Sequence, residues 1–226
     1  MIVQFAEELA RVLPPDVPNR ARLIEKAAEH LRLVASANEY MNLTRISNSQ
    51  EAAIKHVYDS VAPWRHFENV GRVLDAGTGA GFPGIPLSIV LPHIRFTLSD
   101  STQKKARFVD LAVESLELSN VHVTSERAEE VAGNHHFEIV TARAVAPISR
   151  IVELFRKPLR QGARLLLYKG PDIEREMAEA QSFRASAAVL CRYELPDGLG
   201  ARTMIEIRTS SGEREMPRKQ AQASRG

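Results

Sequence analysis

Apolar residues recur every three or four positions near the start of the chain and give way to short apolar runs after residue 70. The helical spacing of Phe5, Leu9, Val12 and Leu13 predicts a first helix that ends before Pro14. The same spacing predicts further helices over about 20–38 and 50–60. The chain is therefore expected to begin with a helical extension, residues 1–66, that packs on the remainder.

Strands and helices alternate from residue 70 onward. We predict strands at 72–75, 95–100, 121–125, 138–142, 163–168, 187–194 and 202–208, and helices at 83–91, 103–118, 147–159 and 171–183. This alternation is typical of an α/β fold of the Rossmann type, in which helices cover a mostly parallel sheet. The last two of the seven strands have no helix between them, so the last strand is expected to be antiparallel. We place this domain at residues 67–210 and predict a mobile polar tail at 211–226.

Three glycines at alternate positions follow the first predicted strand, within Asp75-Ala76-Gly77-Thr78-Gly79-Ala80-Gly81-Phe82-Pro83-Gly84. A strand that runs into such a turn lets a ligand approach the backbone closely, as in dinucleotide sites with the pattern G-x-G-x-x-G. Two features favour S-adenosylmethionine (SAM) over a dinucleotide. The Asp75 carboxylate would repel a pyrophosphate, but it could accept a hydrogen bond from the SAM ammonium group or order a water beside it. The Pro83 nitrogen cannot donate to a phosphate.

Polar or small residues also follow the other predicted strands, where ligands of open α/β sheets bind. Asp100 is placed to accept the ribose hydroxyls of the cofactor or to cap the next helix. The segment Glu126-Arg127-Ala128-Glu129 is placed along an adenine, although its charges could equally be solvated. Arg143 follows an apolar strand, where an isolated cation is usually paired or functional. Lys169 follows the fifth predicted strand. It is either a site residue or a charge that flanks the next helix.

Composition narrows the class of protein. Of the 226 residues 44% are apolar, which is enough for a buried core. No run of about 18 apolar residues predicts a membrane helix. The single cysteine, Cys191, argues against a disulfide framework and a thiolate zinc site, predicts a reducing cytoplasm, and no metal is expected. A net charge of +2 and a pI near 8.8 are compatible with RNA binding.

Missing motifs restrict the reaction that a SAM enzyme of this sequence would catalyse. The fourth strand is followed by Arg143-Ala144-Val145, without the Pro-Pro-aromatic segment common in methyltransferases of exocyclic amines. Cys191 lies within a predicted strand, as a packed thiol rather than the nucleophile that methylation at pyrimidine C5 requires. A nucleophile that needs no base fits best. Guanine N7 has a free lone pair, so catalysis reduces to alignment and desolvation, worth up to about 7–11 kcal/mol.

Seven motifs occur together in one order. They are Asn42-Leu43-Thr44, His56-Val57-Tyr58-Asp59-Ser60, the glycine-rich loop, Asp100-Ser101 with Lys104-Lys105, Arg127-Ala128-Glu129, Arg143-Ala144-Val145 and Lys169-Gly170. Over about residues 38–208 the chain resembles the bacterial RsmG (GidB) family. The resemblance implies a class I SAM-dependent methyltransferase that modifies N7 of one guanine in 16S ribosomal RNA. Its partner would be that RNA or the small ribosomal subunit, with no membrane, and we expect a monomer.

The loop and the resemblance together predict the site residues. Expected cofactor contacts are Asp75, Gly77, Gly79, Gly81, Phe82, Asp100, Ala128, Glu129 and Arg143. Arg143 and Lys169 are expected to position the reactants, with no general base. His56, Lys104, Arg127 and Arg202 are expected to bind RNA, although His56 could instead be a structural partner of Asp59.

Three other functions stay open at this point. The chain could methylate a small molecule or a protein, or it could be a SAM-fold RNA-binding assembly factor without turnover. It could also be an NAD(P)-dependent oxidoreductase, which would bind NADH and not SAM. Steep salt dependence of substrate binding would favour an RNA substrate over a small neutral molecule.

Overall fold

The computed structural model describes residues 1–46, 48–143, 146–181 and 185–209. In chain order its elements are α1 (Ile2–Val12), α2 (Arg20–Met41), α3 (Ser49–Ala52), a π-helix (Ala53–Tyr58), α4 (Asp59–Val61), a 3-10 helix (Trp64–Phe67), β1 (Arg72–Ala76), α5 (Gly84–Val90), β2 (Arg95–Ser99), α6 (Gln103–Ser115), β3 (Val121–Thr124), α7 (Ala128–Asn134), β4 (Ile139–Arg143), α8 (Ile148–Leu154), α9 (Arg156–Arg160), β5 (Arg164–Lys169), α10 (Glu174–Gln181), β6 (Ala185–Glu194), a 3-10 helix (Pro196–Gly198) and β7 (Ala201–Thr209). The tail predicted at 211–226 lies outside the described residues.

The strands form one seven-stranded sheet in the order β3-β2-β1-β4-β5-β7-β6. Strands β1 to β5 are parallel to one another, whereas β7 is antiparallel to both β5 and β6. The mostly parallel sheet and its antiparallel last strand are therefore confirmed. Strands β1 and β4 are adjacent, but the strands that follow β1 (β2 and β3) lie on one side of this pair and those that follow β4 lie on the other. In open α/β sheets, ligands bind at the carboxyl ends of the two strands where the order reverses in this way.

Side chains of the sheet alternate between two buried layers, as the two-residue period of a strand requires. Val73 and Leu166 face a layer that contains the N-terminal helices, α5 and α6, whereas Leu74 and Leu165 face α7 to α10. The helices before β1 share the first of these layers, and their Leu9, for example, is fully buried in it. The extension is thus packed on the sheet, and the division of the chain at residue 66 stays a prediction.

Local chemistry explains three departures from the predicted helices. The helix expected over 147–159 is two helices, because Pro158 cannot donate a hydrogen bond to Leu154 and its ring crowds that carbonyl. The helix expected over 50–60 contains a wider π-helical turn that carries His56. Helix α7 was not predicted, because its seven residues give too little periodicity to recognise.

Gly84 is the position where α5 approaches the sheet most closely. A Cβ atom there would overlap the Leu98 Cδ2 methyl group and lie 2.7 Å from Asp75 Oδ2. Both neighbours are buried, Asp75 in β1 and Leu98 in β2, so they have little room to move. Glycine is therefore required at this helix start for space.

We expect Gly84→Ala to lower the free energy of unfolding by about 1–3 kcal/mol, the usual range for overpacking a core. Urea unfolding measures the change. Gly133→Ala is the matched control, because its Cβ would approach only Lys157, at 3.9 Å, and alanine favours the helix. Equal stability of the Gly84→Ala variant and the parent would contradict the close packing of α5.

Candidate functional site

The glycine-rich loop turns sharply at the carboxyl end of β1. Gly77, Gly79 and Gly81 have φ angles of 73°, 62° and 95°, in the left-handed region that side chains disfavour. The N–H groups of Gly77 and Thr78 donate to the Ser99 carbonyl at 2.9 and 3.0 Å, which fixes the loop to the end of β2. A Cβ at Gly79 would meet no atom within 4 Å, so this part of the loop faces open space. The backbone is therefore accessible there to a ligand.

Gly81 has a packing role. Its Cβ would lie 2.6 Å from Ile85 Cδ1 and 3.1 Å from the His30 ring, so the second half of the loop is packed against protein. His30 comes from α2, is fully buried, and contacts the Ala80 carbonyl through Nε2 at 2.8 Å. Burial lowers the pKa of His30 to about 4, so the ring is neutral and donates from Nε2. Helix α2 thus supports the second half of the loop through the contacts of His30.

Asp75 is fully buried beneath the loop. Its Oδ2 atom accepts hydrogen bonds from Thr78 Oγ1 at 2.7 Å and from the Gly84 N–H at 2.9 Å. Its Oδ1 atom is buried and has no hydrogen-bond partner. Burial raises the pKa of Asp75 to about 6 and outweighs the two hydrogen bonds, which act in the opposite direction. One carboxylate oxygen is therefore left without a partner next to the glycine-rich loop.

Asp100 joins the loop to the start of α6. Its Oδ2 accepts from the Gly79 N–H at 3.1 Å and its Oδ1 accepts from the Thr102 N–H at 2.9 Å. The capping interpretation of Asp100 thus holds in part, whereas Thr102, the N-cap residue of α6, makes no capping hydrogen bond with its own side chain. Ser99 Oγ also donates to the Glu126 carbonyl at 2.7 Å, so the carboxyl ends of β1, β2 and β3 are tied together.

The residues at these strand ends fit the donor predicted from the sequence. An ammonium group or a water molecule would satisfy the unpartnered Oδ1 of Asp75, whereas a pyrophosphate would add negative charge beside it. The loop is open at Gly79, and the only N–H group that Asp100 takes from it is that of Gly79. Ala128 and Glu129 begin α7, directly beyond β3.

Phe82 lies between two histidines. The His30 and His56 rings stack on it with centroid separations of 4.6 Å each, and the Arg143 guanidinium lies 5.6 Å from its centroid. Burial and the charge of Arg143 lower the pKa of His56 to about 3. Phe82 is only 5% exposed, so little of its ring is available for the predicted cofactor contact. The stack joins the loop to the N-terminal helices.

Asp59, in α4, contacts three residues of the sheet. Arg143 Nη1 donates to Asp59 Oδ2 at 3.2 Å and to the Lys55 carbonyl at 2.8 Å. Tyr193 donates to Asp59 Oδ1 at 2.9 Å, and Arg202 Nε lies 3.5 Å from Oδ2. Asp59 is therefore paired with these residues and not with His56, which contacts Thr44 Oγ1 at 3.0 Å.

The remaining predicted site residues occupy two kinds of surroundings. Lys169 donates to the Ala146 carbonyl at 2.9 Å and to Glu176 at 2.8 Å, so its ammonium group is paired. Lys104 is exposed in the first turn of α6, and Arg127 is exposed 3.7 Å from Glu129. Cys191 is half-buried in β6, where burial raises the pKa of its thiol, as expected for a packed cysteine.

Sequence reasoning missed His30 and Tyr193. His30 stands at a helical position between apolar neighbours, Ala27 and Leu31, and this position on the buried face was the available signal. Tyr193 lies 134 residues from Asp59 along the chain, so no local pattern predicts their contact.

Comparisons with known proteins identify the chain. Residues 23–193 match the family model described as rRNA small subunit methyltransferase G. The chain belongs to this family. A relative named Ribosomal RNA small subunit methyltransferase G from Solibacter usitatus (strain Ellin6076) is 58% identical over 208 residues, which cover 90% of this chain and 99% of the relative. A second relative of the same name, from Carboxydothermus hydrogenoformans (strain ATCC BAA-161 / DSM 6008 / Z-2901), is 34% identical over 192 residues. That alignment covers 80% of this chain and 81% of the relative.

The fold also matches solved SAM enzymes. Magnesium protoporphyrin IX methyltransferase (ChlM) from Synechocystis PCC 6803, solved with bound SAM, aligns with a TM-score of 0.55. The alignment covers 80% of this chain and 97% of that enzyme, at 16% identity. The class I SAM-dependent methyltransferase fold predicted from the sequence is therefore confirmed, and SAM is the cofactor of this family member.

The lengths and hydropathy of the helices bear on membrane crossing. Across the described ranges, none has both the length and the apolar character that a membrane crossing requires.

The stability of the unliganded protein should depend on pH through Asp75. Its pKa is near 3.8 in a solvated carboxyl and about 6 in the fold, so the folded chain holds the proton more tightly. The resulting stabilisation is complete below a pH of about 4 and is lost as the pH rises through about 6. It contributes at most about 3 kcal/mol to the free energy of unfolding. We expect urea unfolding to show this loss in the parent chain relative to Asp75→Asn.

The Asn variant is the control that isolates Asp75. His30 and His56 have lowered pKa values in the fold, so they favour folding as pH rises and act alike in both proteins. Parallel pH profiles of the two proteins would contradict a raised pKa for Asp75.

Proposed function

We propose that this enzyme transfers the methyl group of SAM to N7 of a specific guanine in 16S ribosomal RNA. The observation that carries the proposal is the family match, which spans both the glycine-rich loop and the end of β4. The 58% identity to a relative named for methylation of small-subunit ribosomal RNA supports the same substrate. The site chemistry below is compatible with this reaction.

The cofactor is assigned to the carboxyl ends of β1, β2 and β3. In this proposal the backbone at Gly77 and Gly79 lies beside the donor, and Asp75 Oδ1 faces its ammonium group directly or through a water. Asp100 would accept a ribose hydroxyl while it holds Gly79. Ala128 and Glu129, at the start of α7, would border the adenine. Gly81 and Phe82 support the loop from the packed side.

The reaction needs no proton acceptor, because guanine N7 carries a lone pair and no hydrogen. When bound, SAM supplies a methyl group on a sulfonium ion, and the positive charge passes to the purine as the N–C bond forms and the S–C bond breaks. The protein has to align the base and exclude water from it, which are the effects that position and desolvation supply. Arg143 is charged and paired, so it is unsuited to act as a base.

Arg143 and Lys169 are proposed to position the segment between β4 and α8. Arg143, at the end of β4, is held by Asp59 and the Lys55 carbonyl. Lys169, at the end of β5, donates to the Ala146 carbonyl, near the other end of that segment. The contacts of these two cations thus fix the end of β4 and the Ala146 carbonyl, close to where substrates of such sheets bind.

RNA is proposed to bind along the cations beside this segment. Lys104 and Arg127 are exposed and available to phosphates, whereas Arg202 is half-buried near Asp59. His56 supports the site from within, stacked on Phe82. Such phosphate contacts place the RNA, and the target guanine has to leave its stack to reach the methyl group.

We further propose that the enzyme acts in the cytoplasm as a monomer. The pattern of exposed apolar side chains supports a monomer. Among the described residues, the large exposed apolar side chains are those of Met1, Ile2, Val3, Tyr40, Leu111 and Val189, which fall in four separate parts of the chain. The division into an extension at 1–66 and a catalytic domain at 67–210 is proposed on the sequence pattern.

The decisive experiment supplies the purified enzyme with SAM and with small ribosomal subunits from cells that lack it. N7-methylguanine is then mapped by borohydride reduction and aniline cleavage of the RNA. We expect one new cleavage site in 16S ribosomal RNA. Methylation of another atom, or SAM binding with no transfer to any ribosomal RNA, would refute the proposal. Naked RNA supplied in parallel shows whether the subunit proteins are needed.

A further inference from the structure

A groove with a charged rim runs between the end of α2 and the start of α6. Its volume is about 470 Å³, and Tyr40, Lys104, Lys105, Arg107, Phe108 and Leu111 line it. We propose that this groove binds a single-stranded segment of the substrate RNA next to the target guanine, with one base stacked on Tyr40. This inference rests on the proposed function, since it names where the same RNA substrate lies.

The apolar side chains of the groove are unusually exposed. Tyr40 is 75% exposed and Leu111 is 56% exposed, although both lie on helices whose other apolar residues are largely buried. A tyrosine ring offers a flat surface on which any base can stack, and stacking of this kind is the usual means of holding unpaired bases. An exposed aromatic ring beside a groove is therefore suited to an unstacked base.

The cations of the groove are free to meet a polyanion. In the described part of the chain, Lys104, Lys105 and Arg107 form no ion pair, whereas Arg143 and Lys169 each have an acidic partner. The nearby acids on the same helices, Glu39, Asp110 and Glu114, are exposed and form no ion pair with these cations. The N-terminal end of the 13-residue α6 adds its positive dipole.

The groove is continuous with the proposed cofactor site. Thr102 lines the groove, and its N–H donates to the same Asp100 carboxylate that accepts from Gly79. Lys26, early in α2, pairs with Glu117, just after α6, so the two helices run in opposite directions. Their other ends, which form the groove, therefore lie at the carboxyl edge of the sheet. An RNA strand in the groove would lead directly to the glycine-rich loop.

Single-stranded RNA fits better than a duplex or a protein. A duplex hides its base faces and would leave Tyr40 without a partner. A protein partner would need acidic side chains at three positions, whereas every RNA nucleotide brings a phosphate. The combination of a stacking ring and unpaired cations is what non-base-paired nucleic acid requires.

Two variants of Tyr40 test the stacking contact. The affinity for a fluorescein-labelled RNA fragment that carries the mapped guanine in an unpaired loop is measured by anisotropy. We expect Tyr40→Ala to weaken binding about 5-fold to 100-fold and Tyr40→Trp to bind about as well as the parent. Because Tyr40 is 75% exposed, its truncation removes little packing, and an unchanged SAM affinity in calorimetry verifies the fold.

A triple variant tests the phosphate contacts. Replacement of Lys104, Lys105 and Arg107 by Gln should reduce the slope of log K against log salt by about 2, at about 0.7 for each lost contact with a single strand. The matched control replaces Arg22, Arg95 and Arg160 by Gln, which removes the same charge from three exposed cations outside the groove. The control should retain the parent slope.

The outcomes separate this inference from the proposed function. Unchanged RNA affinity and salt slope in both groove variants, with N7-methylation by the parent intact, would overturn the inference alone. Loss of binding to whole subunits with full binding to the RNA fragment would also overturn it, because the groove would then contact a ribosomal protein. Groove-dependent RNA binding without methylation by the parent would support the groove and refute the proposed function.

Discussion

The buried carboxylate of Asp75 is the interaction on which the site depends. It lies under the glycine-rich loop with one oxygen engaged by Thr78 and Gly84 and the other unpartnered. A carboxylate left in this state is costly in the free protein, and its raised pKa expresses that cost. A cationic ligand would relieve it, so the fold stores part of the binding free energy in an unsatisfied acceptor. The close packing of α5 at Gly84 leaves the engaged oxygen, Oδ2, little room to move.

The second constraint joins the N-terminal helices to the catalytic sheet. Asp59 receives hydrogen bonds from Arg143 and Tyr193, and Phe82 is held between His30 and His56. The helices before β1 therefore contact both the glycine-rich loop and the end of β4, the two segments that we propose hold the cofactor and the substrate. A methyl transfer that relies on alignment benefits from such a link, since small displacements of either reactant slow the reaction.

The sheet was predictable because its strands are apolar runs bounded by turns. The glycine-rich loop was predictable because backbone positions with a positive φ leave few alternatives to glycine. Helix α7 and the π-helical turn were not, because each spans fewer than eight residues and lacks a clear period. The partners of Arg143 were not predictable either. Asp59 lies 84 residues away along the chain, and only the three-dimensional packing brings the two together. The sequence indicated that this cation would be paired or functional, but it did not indicate which residue would pair with it.

The pKa of Asp75 measured with and without SAM tests the central claim most directly. Carbon-13 NMR of protein labelled at aspartate carboxyl groups, assigned with the Asp75→Asn variant, follows the titration of this one group. The predicted pKa is about 6 in the free protein, and saturation with SAM should move it below the ordinary value for aspartate, because the ammonium group favours the ionised form. A pKa below about 4 in the free protein, or one that SAM leaves unchanged, would contradict the role assigned to this carboxylate.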